Sequence, residues 1–484
     1  MDYREARDLI NTAGQYGSVL GLENMKALMH SLGNPQDDLQ VIHIAGTNGK
    51  GSTAAYLYSV LCEAGYHVGR YVSPTLYSYL ERIQIGSRNI SESEFAAAMT
   101  KVSEAAHKMT EKGLPHPTAF ELETAAAYVF FKDSDCDIAL VEVGMGGDLD
   151  ATNIISTPRL CVLTSISMDH TAVLGNTLGE IAEKKAGIIK ENSLVVSTIQ
   201  KPEVETVIRT VCRERGAAMI ISDFRQAQVL EESYQGQKFV YQGEVYEISL
   251  GGICQIENAV LALNVLEALS KTVLPDTEMH QETLLRKVQI QEAPLRKEQL
   301  RKASSTNREQ KKEIPSQKIF PTSIEQRRIG LRSTLWNGRF TTICDHPLFI
   351  VDGAHNPAAA DRLAEAVERY FSGRDIYYII GVFADKDYEY ILRRMSPYAK
   401  EILTIETPDN PRALPAERLA EAVLRYHPKV RAMGSIPQAV TEVFRIAGER
   451  DVILSFGSLS FIGLITEEVH RIYDRSGNQQ REDR

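Results

Sequence analysis

A chain of 484 residues exceeds what one hydrophobic core ordinarily organises, so two or three domains are expected. Its 43% hydrophobic and 24% charged content is that of a globular protein, and no apolar run or signal-peptide pattern marks it for a membrane or export, so a cytoplasmic location is expected. The net charge of −10 argues against nucleic acid as the main partner, and six scattered cysteines without a C-x-x-C pair read as reduced thiols.

Residues 1–40 read as two helices, one around Asp8–Ile10 and one over Leu22–Met29, the second stopped by Leu32-Gly-Asn-Pro35. Between them, Tyr16–Glu23 reads as a loop that includes Val19, Leu20 and Gly21. Val41-Ile-His-Ile-Ala45 has the β-branched pattern of a buried strand; the chain then turns at Gly46-Thr-Asn-Gly49, and a helical pattern runs from Ser52 to Ala64. Strand, glycine turn and helix start in that order make a phosphate cradle from Asn48, Gly49, Lys50, Gly51 and Ser52. Backbone N–H groups point into such a turn, the helix dipole favours anions, and Lys50 supplies a charge for β- and γ-phosphates. The strict G-x-x-x-x-G-K-[ST] pattern is not met, because Ile44 stands at its first glycine and Gly51 follows Lys50.

Val68–Pro74 is a second strand ending in Ser-Pro, and ligands sit at the carboxyl ends of parallel strands, where the Ser73 hydroxyl would reach a nucleotide-bound Mg²⁺. Ser91-Glu-Ser-Glu94 and Thr118-Ala-Phe-Glu121 open helices, and Phe120 reads as a core contact. Asp137-Ile-Ala-Leu-Val-Glu-Val-Gly144 is an apolar strand ending in Glu142, a buried charge that is costly unless paired or bound to a cation, so it reads as a metal ligand. The strand Leu160–Ile166 delivers Met168-Asp-His170, with His170 a candidate second metal ligand. Further strands are expected at Leu194–Thr198 and Met219–Ser222, and Gln255-Ile-Glu-Asn258 leads a helix. Residues 286–318 hold ten Lys/Arg against four Glu and read as a mobile insertion, so a linker is drawn over 286–329. From Trp336 a second α/β unit begins, with strands at Leu348–Val351, Tyr377–Gly381, Ile402–Ile405 and Val452–Phe456.

Gly46-Thr-Asn-Gly-Lys-Gly-Ser52 resembles the nucleotide loop of the folylpolyglutamate synthase/dihydrofolate synthase branch of the Mur ligase superfamily. So do, in order, Ser73-Pro74 with Glu81-Arg-Ile83, Thr118-Ala-Phe-Glu121, Gly146-Gly-Asp-Leu-Asp-Ala-Thr-Asn153, Asp169-His170, Glu183-Lys-Lys-Ala-Gly187, Trp336-Asn-Gly-Arg339 and Asp352-Gly-Ala-His-Asn-Pro357. The chain departs from the family pattern at Thr75, where a histidine is frequent, at Asp148, where arginine is common, and at Lys184, which replaces a glutamate. The resemblance implies an α/β fold with a P-loop Mur-ligase-like domain over 1–285 and a smaller Rossmann-like domain over 330–484.

It also implies ATP as co-substrate held by the phosphate loop, Asn258, Arg339 and Asp352, with two Mg²⁺ ions on Ser73, Glu142 and His170. Lys185, carbamylated, and His355 on the glutamate side would join Lys50 in catalysis. Folate or pteroate would contact Val19–Gly21, Thr118, Ala119, Phe120, Glu121, Leu149, Asp150 and Ala151. The implied activity is ATP-dependent addition of L-glutamate to folyl-glutamates, and also to dihydropteroate, by a monomer acting on small molecules. The alternatives are an enzyme with only one of these activities, a peptidoglycan-precursor ligase, or an inactive nucleotide-binding regulator.

Overall fold

The computed structural model describes residues 1–17, 21–271 and 318–482. Val19, Leu20 and most of the basic stretch expected to be an insertion therefore lie outside the described residues. The N-terminal domain is built on eight strands: β1 (Val41–Ala45), β2 (Val68–Tyr71), β3 (Ile83–Ile85), β4 (Arg88–Asn89), β5 (Ile138–Glu142), β6 (Leu160–Leu163), β7 (Leu194–Thr198) and β8 (Ala218–Ser222). Their order is β4-β3-β2-β5-β1-β6-β7-β8, parallel from β2 to β8, with β3 and β4 added antiparallel at one edge. The β-branched run of β1 is buried on both faces, as a central parallel strand requires.

Successive residues of β1 point to opposite layers. Val41 joins a core under the helices Tyr3–Ala13, Glu92–Glu111 and Ala119–Asp133. Ile42 and Ile44 join a core under the helices Lys50–Glu63 and Gln255–Leu269. A three-stranded antiparallel sheet, β9 (Gln228–Ser233), β10 (Gly236–Tyr241) and β11 (Glu244–Ile248), packs into the second core through Phe239, Tyr241 and Tyr246.

The linker drawn over 286–329 needs correction where it can be seen. Phe320 is fully buried in the N-terminal core, and a helix at Ile324–Arg332 places Leu331 beside it. Gly330 lets that helix touch the phosphate-loop helix, since a Cβ there would lie 2.5 Å from Val60 Cα, and Ser59 Oγ donates to the Gly330 carbonyl at 2.7 Å. The apolar spacing of Phe320 and Leu331 had been masked by the basic residues just before it. The N-terminal domain thus continues past residue 330.

The C-terminal domain holds β12 (Thr341–Asp345), β13 (Leu348–Val351), β14 (Ile376–Ile380), β15 (Glu401–Thr404), β16 (Val430–Ala432) and β17 (Val452–Phe456) in the order β12-β13-β17-β14-β15-β16. All neighbours are parallel except β12 with β13, and helices cover both faces around two apolar cores. The carboxyl end of β13 meets the carboxyl ends of β1 and β5 across a cleft.

Candidate active site

The loop after β1 bends where only glycine fits. Gly46 has φ +151 and a Cβ there would strike Thr164 Oγ1, while Gly49 has φ +89 and abuts Asn258 Oδ1. Thr47 and Asn48 donate their N–H groups to the Ser165 carbonyl at 2.8 and 3.2 Å, fixing the turn against the end of β6. Lys50 Nζ lies 3.2 Å from the carbonyls of Gly46 and Thr47 and 3.9 Å from Glu142 Oε1. Gly51 has a packing reason as well: a side chain there would run into the Trp336 ring, 2.6 Å away. Ser52, in the first turn of the helix, is buried.

Glu142 ends β5, fully inside the protein, and its Oε2 has no hydrogen-bond partner. Burial raises its pKa; the charges of Lys50, Arg339 and Arg70 and the Ser73 N–H oppose that rise. Ser73 and Glu142 line the cleft together, and His170 lines it further along. His170 adopts φ +50 at the start of a short helix, and its Nε2 is 3.4 Å from Lys386 Nζ. Burial lowers its pKa to about 4; the Asp169 charge opposes that fall and the Lys386, His355 and Lys185 charges add to it, so it is a neutral imidazole at neutral pH. Among the described residues no group of three His, Cys, Asp or Glu side chains stands ready to hold a metal. The expected ligand set, a hydroxyl, one carboxylate and one imidazole, is of a different kind and leaves positions for phosphate oxygens.

Lys185, from the helix Leu178–Ala186, reaches the phosphate loop and donates to the Gly46 carbonyl at 2.9 Å. Burial, reinforced by the Lys50 charge, lowers its pKa to about 7. The two departures from the family pattern nearby turn out to be partners: Lys184 Nζ is 3.0 Å from Asp148 Oδ2. Set against the family pattern that the sequence resembles, the pair has its signs exchanged. The loop itself is tied down by Asp148 N–H to the Lys184 carbonyl at 2.8 Å and by Asn153 Nδ2 to the Asp148 carbonyl at 2.9 Å.

A cavity of about 660 Å³ runs between the domains, bordered by the phosphate loop, Asn258, Arg339, Asp352 and His355. Asn258 Nδ2 donates to Gln255 Oε1 at 3.2 Å, and Asp352 accepts the N–H groups of Phe340 and Ala354, both at 2.8 Å. Arg339 Nη1 donates to the Gly338 carbonyl at 3.2 Å, and His355 Nδ1 donates to the Gly353 carbonyl at 2.7 Å. Sequence reasoning missed what joins the two walls. Asp169 bonds Lys386 Nζ at 2.5 Å and Asn356 Nδ2 at 3.0 Å, and Asn356 also exchanges hydrogen bonds with Asn48. Burial disfavours the Asp169 charge, yet His355 and Lys386 hold its carboxyl far below the usual range. Lys386 lies in Asp385-Lys-Asp387, a segment too short to carry meaning without its partner 217 residues away.

The expected folate-side residues do not line this cleft. Thr118 and Glu121 form a capping box, and Glu121 also accepts from Asn24 Nδ2 at 3.2 Å. Asp150 is fully buried, its carboxylate accepting the N–H groups of Met145 and Thr152 and the Thr152 hydroxyl. Phe120 packs near Tyr71, centroids 6.2 Å apart, and closes over Gly144. Ala119 is half-buried in the same core, Ala151 is buried, Leu149 is exposed, and Gly21 has φ +141 with open space about it.

A phosphate loop facing a buried acid, closed by a second α/β domain, makes a nucleotide-binding cleft, and family models identify its class as that of the Mur ligases. Residues 44–266 match the Mur ligase middle domain, and residues 338–459 match the Mur ligase glutamate ligase domain. The chain is 32% identical over 476 residues to the dihydrofolate synthase/folylpolyglutamate synthase of Bacillus subtilis, covering 96% of this chain and 99% of that one. It is 31% identical to the folylpolyglutamate synthase of Lacticaseibacillus casei, covering 86% and 88%. Among solved structures, Mycobacterium tuberculosis folylpolyglutamate synthase complexed with ADP and AMPPCP superposes with a TM-score of 0.77 at 28% identity, covering 96% and 98%. E. coli FolC in complex with DHPP and ADP gives 0.76 at 26% identity, covering 97% and 98%. The chain belongs to the folylpolyglutamate synthase/dihydrofolate synthase family of Mur ligases.

Proposed function

We propose that this protein is an ATP-dependent ligase that adds L-glutamate to the γ-carboxylate of folyl-glutamates and also joins glutamate to dihydropteroate. The observation that carries the reading is the unpartnered Oε2 of buried Glu142 beside Lys50 and Ser73 at the mouth of the phosphate loop. A buried carboxylate oxygen without a donor is costly unless it meets a cation, so the site fits Mg²⁺, with Ser73, Glu142 and His170 the residues that would hold it. Bound there, Mg²⁺ neutralises charge on the phosphate oxygens.

The chain's own residues supply the rest. The N–H groups of the loop and Lys50 bind the β- and γ-phosphates. The acceptor carboxylate attacks the γ-phosphoryl group, giving an acyl phosphate and ADP; the glutamate amine then attacks the acyl carbon and phosphate leaves. Asn258, beside the phosphate loop, and Arg339 and Asp352, on the far wall, hold the nucleotide, and His355 faces the acyl phosphate. With a pKa near 7, Lys185 exists in part as the neutral amine, the form that adds CO₂, so carbamylation of this residue is chemically reasonable. The carbamate would replace a cation with an anion beside the loop.

Phe120 and Leu149 are our contacts for the pterin side, with Thr118, Glu121 and Asp150 shaping the backbone around them. Dual activity is favoured by the double name of the Bacillus subtilis relative. Both walls of the cleft come from one chain, which supports a working monomer, and six free cysteines suit the cytoplasm. The test is incubation of purified protein with MgATP, L-glutamate and either dihydropteroate or tetrahydrofolate, followed by mass spectrometry. Glutamylated product in both tubes is expected; product in one restricts the activity, and product in neither refutes the ligase reading.

A further inference from the structure

The nucleotide cleft differs in character along its length, and the strand order tells its ends apart. The phosphate loop follows β1, whereas β7 lies two strand spacings away and β8 three, about 10 and 14 Å across the sheet. Beyond those far strands the cleft is walled by Ile199, Phe224 and Ile253, apolar and aromatic side chains suited to a flat base. The helix Gln255–Leu269 begins between the two ends: Asn258 abuts Gly49 of the loop, and Glu257 meets Thr198 at the end of β7. With its phosphates in the loop, a nucleotide would lay its base at the β7–β8 end.

Several polar side chains at that end are already engaged. Gln200 accepts the Ile166 N–H at 3.1 Å and donates to the Thr164 carbonyl and the Ser197 hydroxyl at 2.9 and 3.3 Å. Gln255 Oε1 accepts the Asn258 amide at 3.2 Å. On the facing wall, Asp361 accepts the Tyr390 hydroxyl at 3.0 Å, and Arg362 pairs with Glu365 of its own helix, Pro357–Phe371, at 3.0 Å. Glu257 differs. Its Oε1 accepts the Thr198 hydroxyl at 3.1 Å, and its Oε2 has no hydrogen-bond partner among the described residues. Burial raises its pKa; the Thr198 hydroxyl and the Arg362 charge oppose that rise, although no ion pair joins Arg362 to it among the described residues. Glu257 lines the cleft, so it keeps an acceptor oxygen open to whatever lies there.

We propose that Glu257 reads the base of the nucleotide, its open oxygen accepting the exocyclic amino group that marks adenine. The inference rests on the nucleotide seat of the ligase reading and adds to it the residue that selects among nucleotides. An amino group donates and a carboxylate oxygen accepts, so adenine satisfies the side chain. Hypoxanthine and guanine carry a carbonyl oxygen at the same ring position. Two acceptors would then face each other, and the half-buried acid would stay unsatisfied. The ribose hydroxyls are the nucleotide's other donors, but the sugar lies between base and phosphates, short of the apolar walls beside Glu257.

Steady-state kinetics of the full-length protein with ATP, inosine triphosphate and 2′-deoxy-ATP test this, beside calorimetric binding of ADP and inosine diphosphate. In the wild type, inosine triphosphate is expected to give a kcat/KM about 10- to 100-fold below that of ATP, the usual effect of one hydrogen bond to a charged group. 2′-Deoxy-ATP should stay close to ATP. Glu257→Gln is expected to shift the preference toward inosine triphosphate, because the Thr198 hydroxyl holds the amide oxygen and leaves the amide N–H groups facing the base carbonyl. Glu257→Ala should erase most of the difference between the two nucleotides, with the KM for L-glutamate unaffected in both variants. Wild-type protein that uses inosine triphosphate as well as ATP overturns the proposal alone, so the matter is decided even if the variants do not fold. A Glu257→Gln variant that slows every nucleotide equally, or relaxes only the choice against 2′-deoxy-ATP, overturns it too. Protein that prefers ADP to inosine diphosphate through Glu257 yet ligates nothing keeps this assignment and refutes the ligase reading.

Discussion

The two faces of the N-terminal sheet bury charge in opposite ways. On the face covered by the helices Glu92–Glu111 and Ala119–Asp133, Glu123 is 6% exposed and takes hydrogen bonds from both Arg82 and Tyr79, while the Tyr71 hydroxyl meets Thr124 at 3.2 Å. On the face covered by the phosphate-loop helix, Glu142 keeps an oxygen without a donor, with Lys50 Nζ 3.9 Å from its other oxygen. Both acids are buried, but Glu123 has a donor on each oxygen, although Arg82 Nε beside it lacks a partner, whereas one oxygen of Glu142 has none. A closed buried network fixes a structure, whereas an open one costs stability that a ligand restores. The difference separates scaffold from site without reference to any motif.

The comparison breaks most visibly on the closed face. Arg82→Met leaves Glu123 buried with only the Tyr79 hydroxyl, and is expected to cost about 3–5 kcal/mol in denaturant unfolding. Should stability hold while ligation fails, the network would belong to the site after all. On the open face the order reverses. Glu142→Gln is expected to lower kcat by about 10²- to 10³-fold and to leave Tm unchanged or raised, because a buried charge without a full set of partners has been removed. A fall in Tm comparable to that of Arg82→Met would erase the distinction between the faces.

A pH effect follows from Lys185. Its pKa, lowered by burial to about 7, makes the amine neutral above that value and protonated below it. Only the neutral amine adds CO₂, so carbamate loading should be high above pH 7 and lost as the pH falls through it. Carbon-13 NMR in labelled bicarbonate reads the adduct directly; a signal that persists well into acid would reject the assignment. The smallest effect is expected at the exchanged pair. Asp148 and Lys184 are both partly exposed, so Asp148→Lys or Lys184→Glu should each cost about 0.2–1 kcal/mol, and the double exchange should recover most of it in a double-mutant cycle.

Much of the site can be read along the chain because its parts are local. A β-branched strand, two glycines and a lysine specify the phosphate loop within a dozen residues, and Glu142 announces itself as a charge at the end of an apolar strand. Asp169, Asn356 and Lys386 send no such signal. Each is an ordinary polar residue until the domains close and bring together positions 187 and 217 residues apart.

The sequence by itself determined the two α/β domains, most of their parallel strands and the phosphate loop, since hydrophobic period and turn chemistry act over a few residues. Only the tertiary structure decided that Asp148 answers Lys184, that Phe320 and Leu331 belong to the N-terminal core, and that Arg70 shares the sheet face of Glu142. Strand register, helix contact and domain closure set those pairings, and each depends on partners that the local pattern does not contain.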